Sequence, residues 1–277
     1  MTESKTIVIT GASDGIGAAA ARRLSSDGHR VVVVGRSPQK TAAVAREIGA
    51  DHFLADFTEL EQVRSLADEL KAAYPRIDVL ANNAGGVFGD PTKTVDGFER
   101  TFQINHLAPF LLTRLLMDTL VESRASVIQT SSTLQFAREI DLDDLDHDKN
   151  FSPVRAYTAA KLENVLFTTE LHRRFGARGI SAASFYPGNV ASSFGAQSES
   201  TLMRFIATNP ITRRLMLISP DRGADTLVWL AEAEPGRDWE PGRYFSKRKP
   251  ITPQNRQALD ADLARRFWDR SEQLLGL

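Results

Sequence analysis

Tyr157 and Lys161, in the stretch AYTAAKLENVLFTTEL, are spaced one helical turn apart and could together move a proton. A phenol has an ordinary pKa of about 10, so it exchanges protons poorly at neutral pH. An ammonium group beside it favours the phenolate and lowers that pKa. The alternative is that both side chains lie on a solvated face of the helix. The neighbouring residues of the same helix distinguish the two possibilities.

The pattern around this pair favours a site over a solvated face. At about 100° per residue, one polar stripe of the helix lies between two apolar stripes. A helix that is packed on both flanks turns its polar groups towards a site rather than towards water. The polar stripe comprises Tyr157, Lys161, Asn164 and Thr168, and its flanks are Leu162, Val165 and Leu166 on one side and Ala156, Ala160, Phe167 and Leu171 on the other.

Short apolar runs alternate with segments of helical period along the whole chain. This alternation predicts an α/β fold, a Rossmann-type doubly wound parallel sheet of about seven strands with helices on both faces. No repeat or linker divides the 277 residues, so we expect a single domain, with a C-terminal helical extension at about 251–277. Proline is not tolerated in a helix interior, so Pro109 predicts that the helical region 97–122 is two helices meeting near 105–107.

The stretch TGASDGIG, at 10–17, follows the first predicted strand and opens the first helix. Its glycines allow a tight turn and a close backbone approach, and a helix N-terminus favours an anion, so the loop predicts a pyrophosphate site. A plain strand-to-helix turn is the alternative. Gly35 and Arg36 end the second strand, where a carboxylate would bind a ribose 2′-OH and a basic residue a 2′-phosphate. Arg36 therefore predicts NADP(H) over NAD(H), unless it is an ordinary solvated residue, and the acidic Asp14 in the glycine loop argues against strict selectivity.

These motifs occur in the order typical of one family, and the sequence resembles the short-chain dehydrogenases/reductases. The family pattern TGxxxGIG is matched at 10–17, NNAG at 82–85, YxxxK at 157–161 and PGxV at 187–190. The pattern NHL…FLLT followed by AYxxxKLxNxLFxxEL resembles the retinol dehydrogenase-like and WW-domain oxidoreductase-like branch. The resemblance covers about residues 5–250.

The resemblance implies a catalytic tetrad of Asn105, Ser132, Tyr157 and Lys161. Tyr157 would act as the acid/base, with its pKa lowered by Lys161 and by an oxidised nicotinamide. Lys161 would also bind the nicotinamide ribose, Ser132 would hold the substrate oxygen, and Asn105 would complete a proton relay through water. Ser131 is the alternative to Ser132, which is preferred as the last serine of the pair. The implied reaction is hydride transfer between NADP(H) and a small-molecule carbonyl or alcohol, expected to be lipophilic.

The resemblance also assigns cofactor contacts. Asp56 would contact the adenine amino group and Phe57 would lie beside the adenine ring, although an N-cap is an alternative role for Asp56. The stretch 191–219 would form a substrate lid, or equally a pair of surface helices. The implied cofactor residues are Gly11, Ser13, Asp14, Gly15, Ile16, Gly17, Arg36, Asp56, Phe57, Asn83, Ala84, Gly85, Tyr157, Lys161, Pro187, Gly188, Val190 and Ser192.

Composition narrows the other classes of function. The chain has no cysteine, and its five histidines lack metal-ligand spacing, so no metal site is expected. The formal net charge of −1 shows no excess of basic residues of the kind that nucleic-acid-binding proteins carry. No apolar stretch is long enough for a membrane anchor, so a cytoplasmic protein is expected. Members of the family pair through the tyrosine helix, which suggests a homo-oligomer. The competing function is a cofactor-binding regulatory or scaffold protein, which the filled tetrad argues against.

Overall fold

The computed structural model describes residues 3–135, 137, 139–190 and 218–277, and within them eight strands form one sheet. The spatial order is β3-β2-β1-β4-β5-β6-β7-β8, with β8 alone antiparallel to its neighbour. The two-residue β8, which contains Pro250, has no apolar run, so the prediction of about seven strands missed it. The strands are β1 (Thr6–Thr10), β2 (Arg30–Gly35), β3 (Asp51–Leu54), β4 (Val79–Asn82), β5 (Ser126–Thr130), β6 (Ser181–Tyr186), β7 (Tyr244–Ser246) and β8 (Lys249–Pro250).

Helices cover both faces of the sheet, as the doubly wound prediction requires. Alternate residues of β1 point to opposite faces, so Val8 packs in one core and Ile7 and Ile9 in the other. The helices are α1 (Gly15–Ser26), α2 (Pro38–Ile48), α3 (Leu60–Ala73), α4 (Arg100–Phe102), α5 (Ala108–Leu115), α6 (Met117–Ser123), α7 (Pro153–Phe175), α8 (Pro220–Glu232) and α9 (Ala261–Leu275). Residues of α1, α2 and α8 line one core, and those of α3, α5, α7 and α9 line the other.

The order of the strands reverses between β1 and β4. Both strands run parallel to their neighbours, so the loops that leave their carboxyl ends turn to opposite faces and open a crevice. The glycine loop leaves β1 at this point, and the residues after β4 and β5 lie along the same edge. The fold therefore gathers the sequence motifs at one edge of the sheet.

The helical region before β5 changes its hydrogen-bonding pattern where Pro109 predicted a break, but it stays helical there, and a second interruption at Leu116 was not predicted. A π-helix, Gln103–Leu107, separates α4 from α5, and Asn105 lies in its middle. Pro109 lies in the first turn of α5, where the absence of its N–H leaves no extra group unsatisfied. A π-turn at this place is a recurrent feature of functional sites.

The C-terminal helix α9 packs on the apolar flank of α7 that contains Phe167. The ring of Phe167 stacks on Trp268 at a centroid distance of 5.6 Å. Ala156, Ala160 and Leu171 are also buried within the single chain. The apolar residues of this flank are therefore already buried within one chain, and the homo-oligomer stays a prediction.

His106, the residue after Asn105, is buried in an aromatic cluster beneath α9. Its ring contacts Phe267 at 4.4 Å and Phe102 at 5.7 Å between centroids. Burial lowers the pKa of His106 to about 3, because the cationic form would lose its hydration without gaining a counter-ion. Between pH 6.5 and 3 the unfolded chain thus binds a proton at this position that the folded chain does not.

We therefore expect His106 to make the protein acid-labile. Its contribution to stability is complete above the unfolded pKa and is lost as the pH falls, by about 2 kcal/mol between pH 7 and pH 5. Urea unfolding of the wild type and of His106→Gln at both pH values checks this, since the glutamine variant should lose correspondingly less. The quantity compared is the change in the free energy of unfolding between pH 7 and pH 5, so a difference in stability at pH 7 does not affect the result. His52→Gln, at an exposed histidine, is the control. An equal loss of unfolding free energy in the wild type and in His106→Gln would contradict the expectation.

Candidate active site

Helix α7 and the end of β5 bring together the three central residues of the predicted tetrad. The Nζ atom of Lys161 donates to the carbonyl oxygen of Thr130 at 3.1 Å. It lies 5.5 Å from the centroid of the Tyr157 ring. The Ser132 side chain lies beside the Tyr157 phenol, close enough to oppose the rise in its pKa. The tyrosine–lysine pair thus faces the end of a strand, as the polar stripe indicated.

The two adjacent serines have different surroundings. The Ser131 hydroxyl is buried and donates to the carbonyl oxygen of Lys161 at 2.7 Å. Ser132 is partly exposed and turns its hydroxyl to Tyr157, while its carbonyl oxygen accepts a 2.6 Å hydrogen bond from the Tyr244 hydroxyl. Ser131 therefore fastens β5 to α7, and Ser132 is the serine beside the phenol. Tyr244 comes from a distant strand, and no sequence signal linked it to the serine.

Asn105 reaches the site from the other side of Gly85. Its Nδ2 donates to the carbonyl oxygens of Gly86 at 2.9 Å and Thr101 at 2.8 Å, and its Oδ1 accepts from the Gly86 N–H at 3.2 Å. A Cβ on Gly85 would lie 2.5 Å from Asn105 Oδ1 and 3.1 Å from Lys161 Nζ. The absence of a side chain at Gly85 thus allows the asparagine and the lysine to approach each other.

Burial dominates the ionisation of the tyrosine–lysine pair in the protein chain alone. It raises the pKa of Tyr157 to about 12, and the Ser132 side chain opposes that rise. Burial also lowers the pKa of Lys161 to about 7, so near neutral pH a large fraction of the ammonium has lost its charge. In the protein chain without a cofactor, burial is the largest influence on the pKa of Tyr157, so the phenol is protonated at neutral pH. The lowering of that pKa by Lys161 together with an oxidised nicotinamide stays a prediction.

The glycine loop is built around close backbone approaches. Gly11 has a φ of +64°, and a Cβ there would lie 2.8 Å from the Cα of Ala84. A Cβ on Gly17 would lie 2.4 Å from the carbonyl oxygen of Gly11 and 2.6 Å from the Nδ2 of Asn83. Asp14 caps helix α1 by accepting from the Gly15 N–H at 2.7 Å. Two of the glycines therefore let the loop, α1 and the end of β4 meet without side chains between them.

Asn83 and Thr10 hold the strand ends around this loop. Asn83 donates through Nδ2 to the carbonyl oxygen of Thr10 at 3.0 Å and accepts through Oδ1 from the Thr130 hydroxyl at 3.2 Å. The Thr10 hydroxyl accepts from the N–H groups of Asn83 and Ala84, both at 3.0 Å. Asn83 thus bonds across to β1 and β5, and no sequence signal indicated the part played by the threonine hydroxyls.

The end of β2 lies beside the glycine loop. A Cβ on Gly35 would lie 2.4 Å from the Thr41 hydroxyl and 3.0 Å from the Cβ of Ser13. Arg36 follows and is exposed. Lys40, in the first turn of α2, pairs with Asp14 at 3.2 Å. The acidic residue of the loop therefore has a basic partner that sequence reasoning overlooked, although Lys40 stands four residues after Arg36.

Asp56 and Phe57 behave differently from one another. Asp56 is partly exposed after β3, and its Oδ1 accepts from the N–H of Thr58 at 2.9 Å and from its hydroxyl at 2.8 Å. Glu59, not Asp56, precedes the first residue of α3, so the N-cap alternative is wrong. Phe57 is only 6% exposed and belongs to the core. Its ring therefore offers little exposed surface in the protein chain alone, and its place beside the adenine ring stays a prediction.

The segment after β6 closes the remaining side of the crevice. Gly188 has a φ of +91°, and a Cβ there would lie 2.8 Å from the Ile218 side chain. A Cβ on Gly223 would approach Val190 at 2.5 Å and Ile16 at 3.2 Å, so the segment containing Pro187 meets the glycine loop through α8. Ser192 and nearly all of the predicted lid at 191–219 lie outside the described residues.

The family model for short chain dehydrogenases matches residues 5–202 of this chain. This match covers the glycine loop, the end of β5 and the whole of α7. The chain is a short-chain dehydrogenase/reductase. It is therefore an oxidoreductase of a family that acts on CH–OH donors, and its fold is the single-domain Rossmann-type fold expected from the sequence.

Relatives place this short-chain dehydrogenase/reductase near the retinol dehydrogenases. It is 43% identical to a putative daunorubicin C-13 ketoreductase, DnrU, of Streptomyces sp. (strain C5), over 98% of this chain and 93% of the relative. It is 36% identical to human retinol dehydrogenase 13, over 99% of this chain and 85% of the relative. A crystal structure of a metagenomic short-chain oxidoreductase in complex with NADP superposes with a TM-score of 0.62 at 29% identity, covering 83% of this chain and 91% of that one.

Two other properties of the described chain bear on its class. No helix in the described ranges combines the length and the apolar character needed to cross a bilayer. Among the same residues, no group of three or more histidines, aspartates and glutamates is arranged to hold a metal ion.

Proposed function

We propose that the protein is an NADP(H)-dependent carbonyl reductase and alcohol dehydrogenase, in which Tyr157 is the acid/base. The observation that carries this proposal is the arrangement of Tyr157, Ser132 and Lys161 at the carboxyl end of β5. A phenol, a hydroxyl and an amine meet there, beside the crevice where the strand order reverses. In parallel α/β sheets, ligands bind at such a crevice.

The protein's own groups can hold a dinucleotide at this edge. The N-terminus of α1 presents free N–H groups to a pyrophosphate, and Gly11 and Gly17 leave room for the backbone to approach. Gly85, Pro187, Gly188 and Val190 border the space near Lys161 and the end of β6. When bound, NADPH supplies a hydride to a carbonyl carbon, and NADP⁺ accepts one from an alcohol.

The role of the protein residues follows from their protonation. With a pKa of about 12, the Tyr157 phenol carries its proton at neutral pH and can donate it to the substrate oxygen as a carbonyl is reduced. The Ser132 hydroxyl lies beside the phenol and is placed to orient that oxygen. Lys161 and Asn105, on either side of Gly85, are placed to return the proton. The protonated phenol is the form that reduction of a carbonyl requires, and the ketoreductase relative supports a ketone as substrate.

Turnover on a substrate panel tests this function. Oxidation of NADPH is followed at neutral pH with lipophilic ketones, aldehydes and, in reverse, alcohols. We expect NADPH-linked reduction of at least one lipophilic ketone or aldehyde. NADPH binding without turnover on any member of the panel would favour the alternative, a cofactor-binding regulatory or scaffold protein.

The end of β2 supports NADP(H) over NAD(H). Arg36 can form a bidentate contact with a 2′-phosphate, and Lys40 stands one helical turn further along. Ser37 caps α2, so the N-terminus of this helix points to the same place. Asp14 opposes a phosphate by its own charge, but its pairing with Lys40 offsets that repulsion. The basic side chains therefore outweigh the single carboxylate.

Replacing Arg36 by alanine is expected to weaken the binding of NADPH much more than the binding of NADH. Hydrogen bonds to a charged group are worth about 1.5–3 kcal/mol, so the Kd for NADPH should rise about 10- to 100-fold while the Kd for NADH changes less than about twofold. Lys40→Ala should act in the same direction with a smaller effect, because Lys40 is shared with Asp14. Fluorescence titration with both nucleotides measures the change, and Arg46→Ala, on an exposed position of the same helix, is the control. An equal loss for both nucleotides would show that Arg36 does not read the 2′-phosphate.

A further inference from the structure

His106, next to Asn105 in the π-helix, is joined to the C-terminal helix by a buried hydrogen bond. His106 is 1% exposed and Ser271 is 0% exposed, and His106 Nε2 lies 2.9 Å from Ser271 Oγ. The Ser271 hydroxyl donates its one hydrogen to the carbonyl oxygen of Phe267 at 2.9 Å. It must therefore accept from His106, which fixes the histidine tautomer with its hydrogen on Nε2.

Helix α9 is held in place independently of this hydrogen bond. Trp268 packs on Phe110 at a ring-centroid distance of 4.8 Å. At the surface Arg114 pairs with Glu272 at 3.0 Å, and Arg174 pairs with Asp269 at 2.5 Å. Ser271 is therefore a fixed point to which the histidine is attached, rather than a residue that follows the π-helix.

The π-helix needs such a fixed point because its geometry is less regular than that of an α-helix. Asn105 reaches Gly86 only through hydrogen bonds of 2.9 Å and 3.2 Å that depend on the orientation of this one turn. His106 is the next residue, so a rotation of the turn that moves its ring also moves the asparagine. The hydrogen bond to Ser271 opposes that rotation from the side facing away from the crevice.

We propose that Ser271 and His106 are positioning residues, through which the C-terminal helix sets the orientation of Asn105 in the active site. This inference rests on the proposed function, since it assumes that Asn105 takes part in turnover. Neither residue touches the site itself. The proposed contact acts on the reaction through the asparagine, and this property makes the proposal testable.

A double-mutant cycle tests the proposal. Small misplacements of a catalytic group cost up to about 100-fold in rate, so Ser271→Ala is expected to lower kcat about tenfold while KM for NADPH changes less than about twofold. In an Asn105→Ala background the same substitution should have no further effect on kcat, because the group it positions is gone. Independent effects that multiply in the double variant would overturn the proposal.

Ser123→Ala is a matched control for the loss of a buried hydroxyl. The Ser123 hydroxyl also donates to a carbonyl four residues earlier, that of Thr119 at 2.6 Å, and accepts from the Ile77 N–H at 3.1 Å. We expect Ser123→Ala to lower the free energy of unfolding about as much as Ser271→Ala does and to leave kcat unchanged. An equal loss of kcat in both serine variants would show that Ser271→Ala lowers kcat only by lowering stability, and this result would overturn the proposal.

A measurement without turnover separates this inference from the proposed function. The Gly86 N–H donates to Asn105 Oδ1, so its hydrogen exchange reports the position of the asparagine. Exchange at Gly86 should be faster in Ser271→Ala than in the wild type and unchanged in Ser123→Ala. If exchange responds in this way but Asn105→Ala leaves kcat intact, the proposed role of Asn105 fails while the positioning contact stands. If exchange at Gly86 does not respond, the positioning contact fails whatever the enzyme reduces.

Discussion

Replacing Tyr157 by phenylalanine is expected to lower kcat for NADPH-linked reduction by about 10²- to 10⁴-fold, the contribution of a positioned general acid. The substitution keeps the ring and removes the hydroxyl that lies beside Ser132. The substrate oxygen then has no acidic proton beside it as negative charge develops. NADPH should still bind, since the contacts expected of the glycine loop and of Arg36 remain. Steady-state kinetics and a nucleotide titration on the same preparation measure the two effects separately.

Tyr74→Phe is the matched control for the loss of a buried phenol. The Tyr74 hydroxyl donates to Asp51 at 2.6 Å, on β3, and has no part in the proposed site. We expect it to lower stability while kcat stays within about twofold of the wild type, because no catalytic group moves. Turnover that survives Tyr157→Phe nearly intact would show that another group donates the proton, and the proposed mechanism would be wrong.

Replacing Gly17 by alanine is expected to weaken NADPH binding by up to about 100-fold. Its Cβ would lie 2.4 Å from the Gly11 carbonyl oxygen, 2.6 Å from Asn83 Nδ2 and 2.9 Å from the Ala12 Cα. Two of these three atoms are backbone, so the glycine loop itself must shift. Overpacking of this kind costs about 1–3 kcal/mol, and a loss of that size in the bound state raises Kd up to about 100-fold.

Gly28→Ala, just beyond the other end of the same helix, separates overpacking from backbone strain. Gly28 has a φ of +91°, and nothing lies within 4 Å of a Cβ placed there. We expect a loss of about 1 kcal/mol in stability from the unfavourable backbone conformation, with NADPH binding unchanged. The free energy of unfolding and Kd for NADPH are measured for both variants. Unaltered NADPH binding by Gly17→Ala would mean that the loop holds no pyrophosphate.

Local patterns predicted the elements of this site well. The alternation of apolar runs and helical segments predicted the doubly wound sheet, and Pro109 predicted where, near Asn105, the α-helical pattern is interrupted. Both signals act within a few residues, through side-chain period and the missing N–H of proline. The polar stripe of α7 likewise followed from helical geometry alone, and it led to the pair Tyr157 and Lys161.

The features of the site that sequence patterns did not predict depend on distant residues. Phe57 is buried in the core that α3, α5, α7 and α9 line, and the pKa of Tyr157 rises because burial excludes water. The sequence named the ammonium beside the phenol, but the effect of burial on both groups is larger. The pairing of Lys40 with Asp14 also joins the first turn of α2 to the glycine loop, which are separate in the chain.

The sequence by itself determined the fold class, the glycine loop, the order of the motifs and the identity of the tyrosine–lysine pair. These features follow from short-range periodicity and from residue types that few other structures need in that order. Only the tertiary structure decided which serine faces the phenol, and that the flank of α7 is covered by the chain's own last helix. Both depend on where β7 and α9 lie, more than 80 residues after Tyr157, and packing over such separations leaves no periodic signal in the sequence.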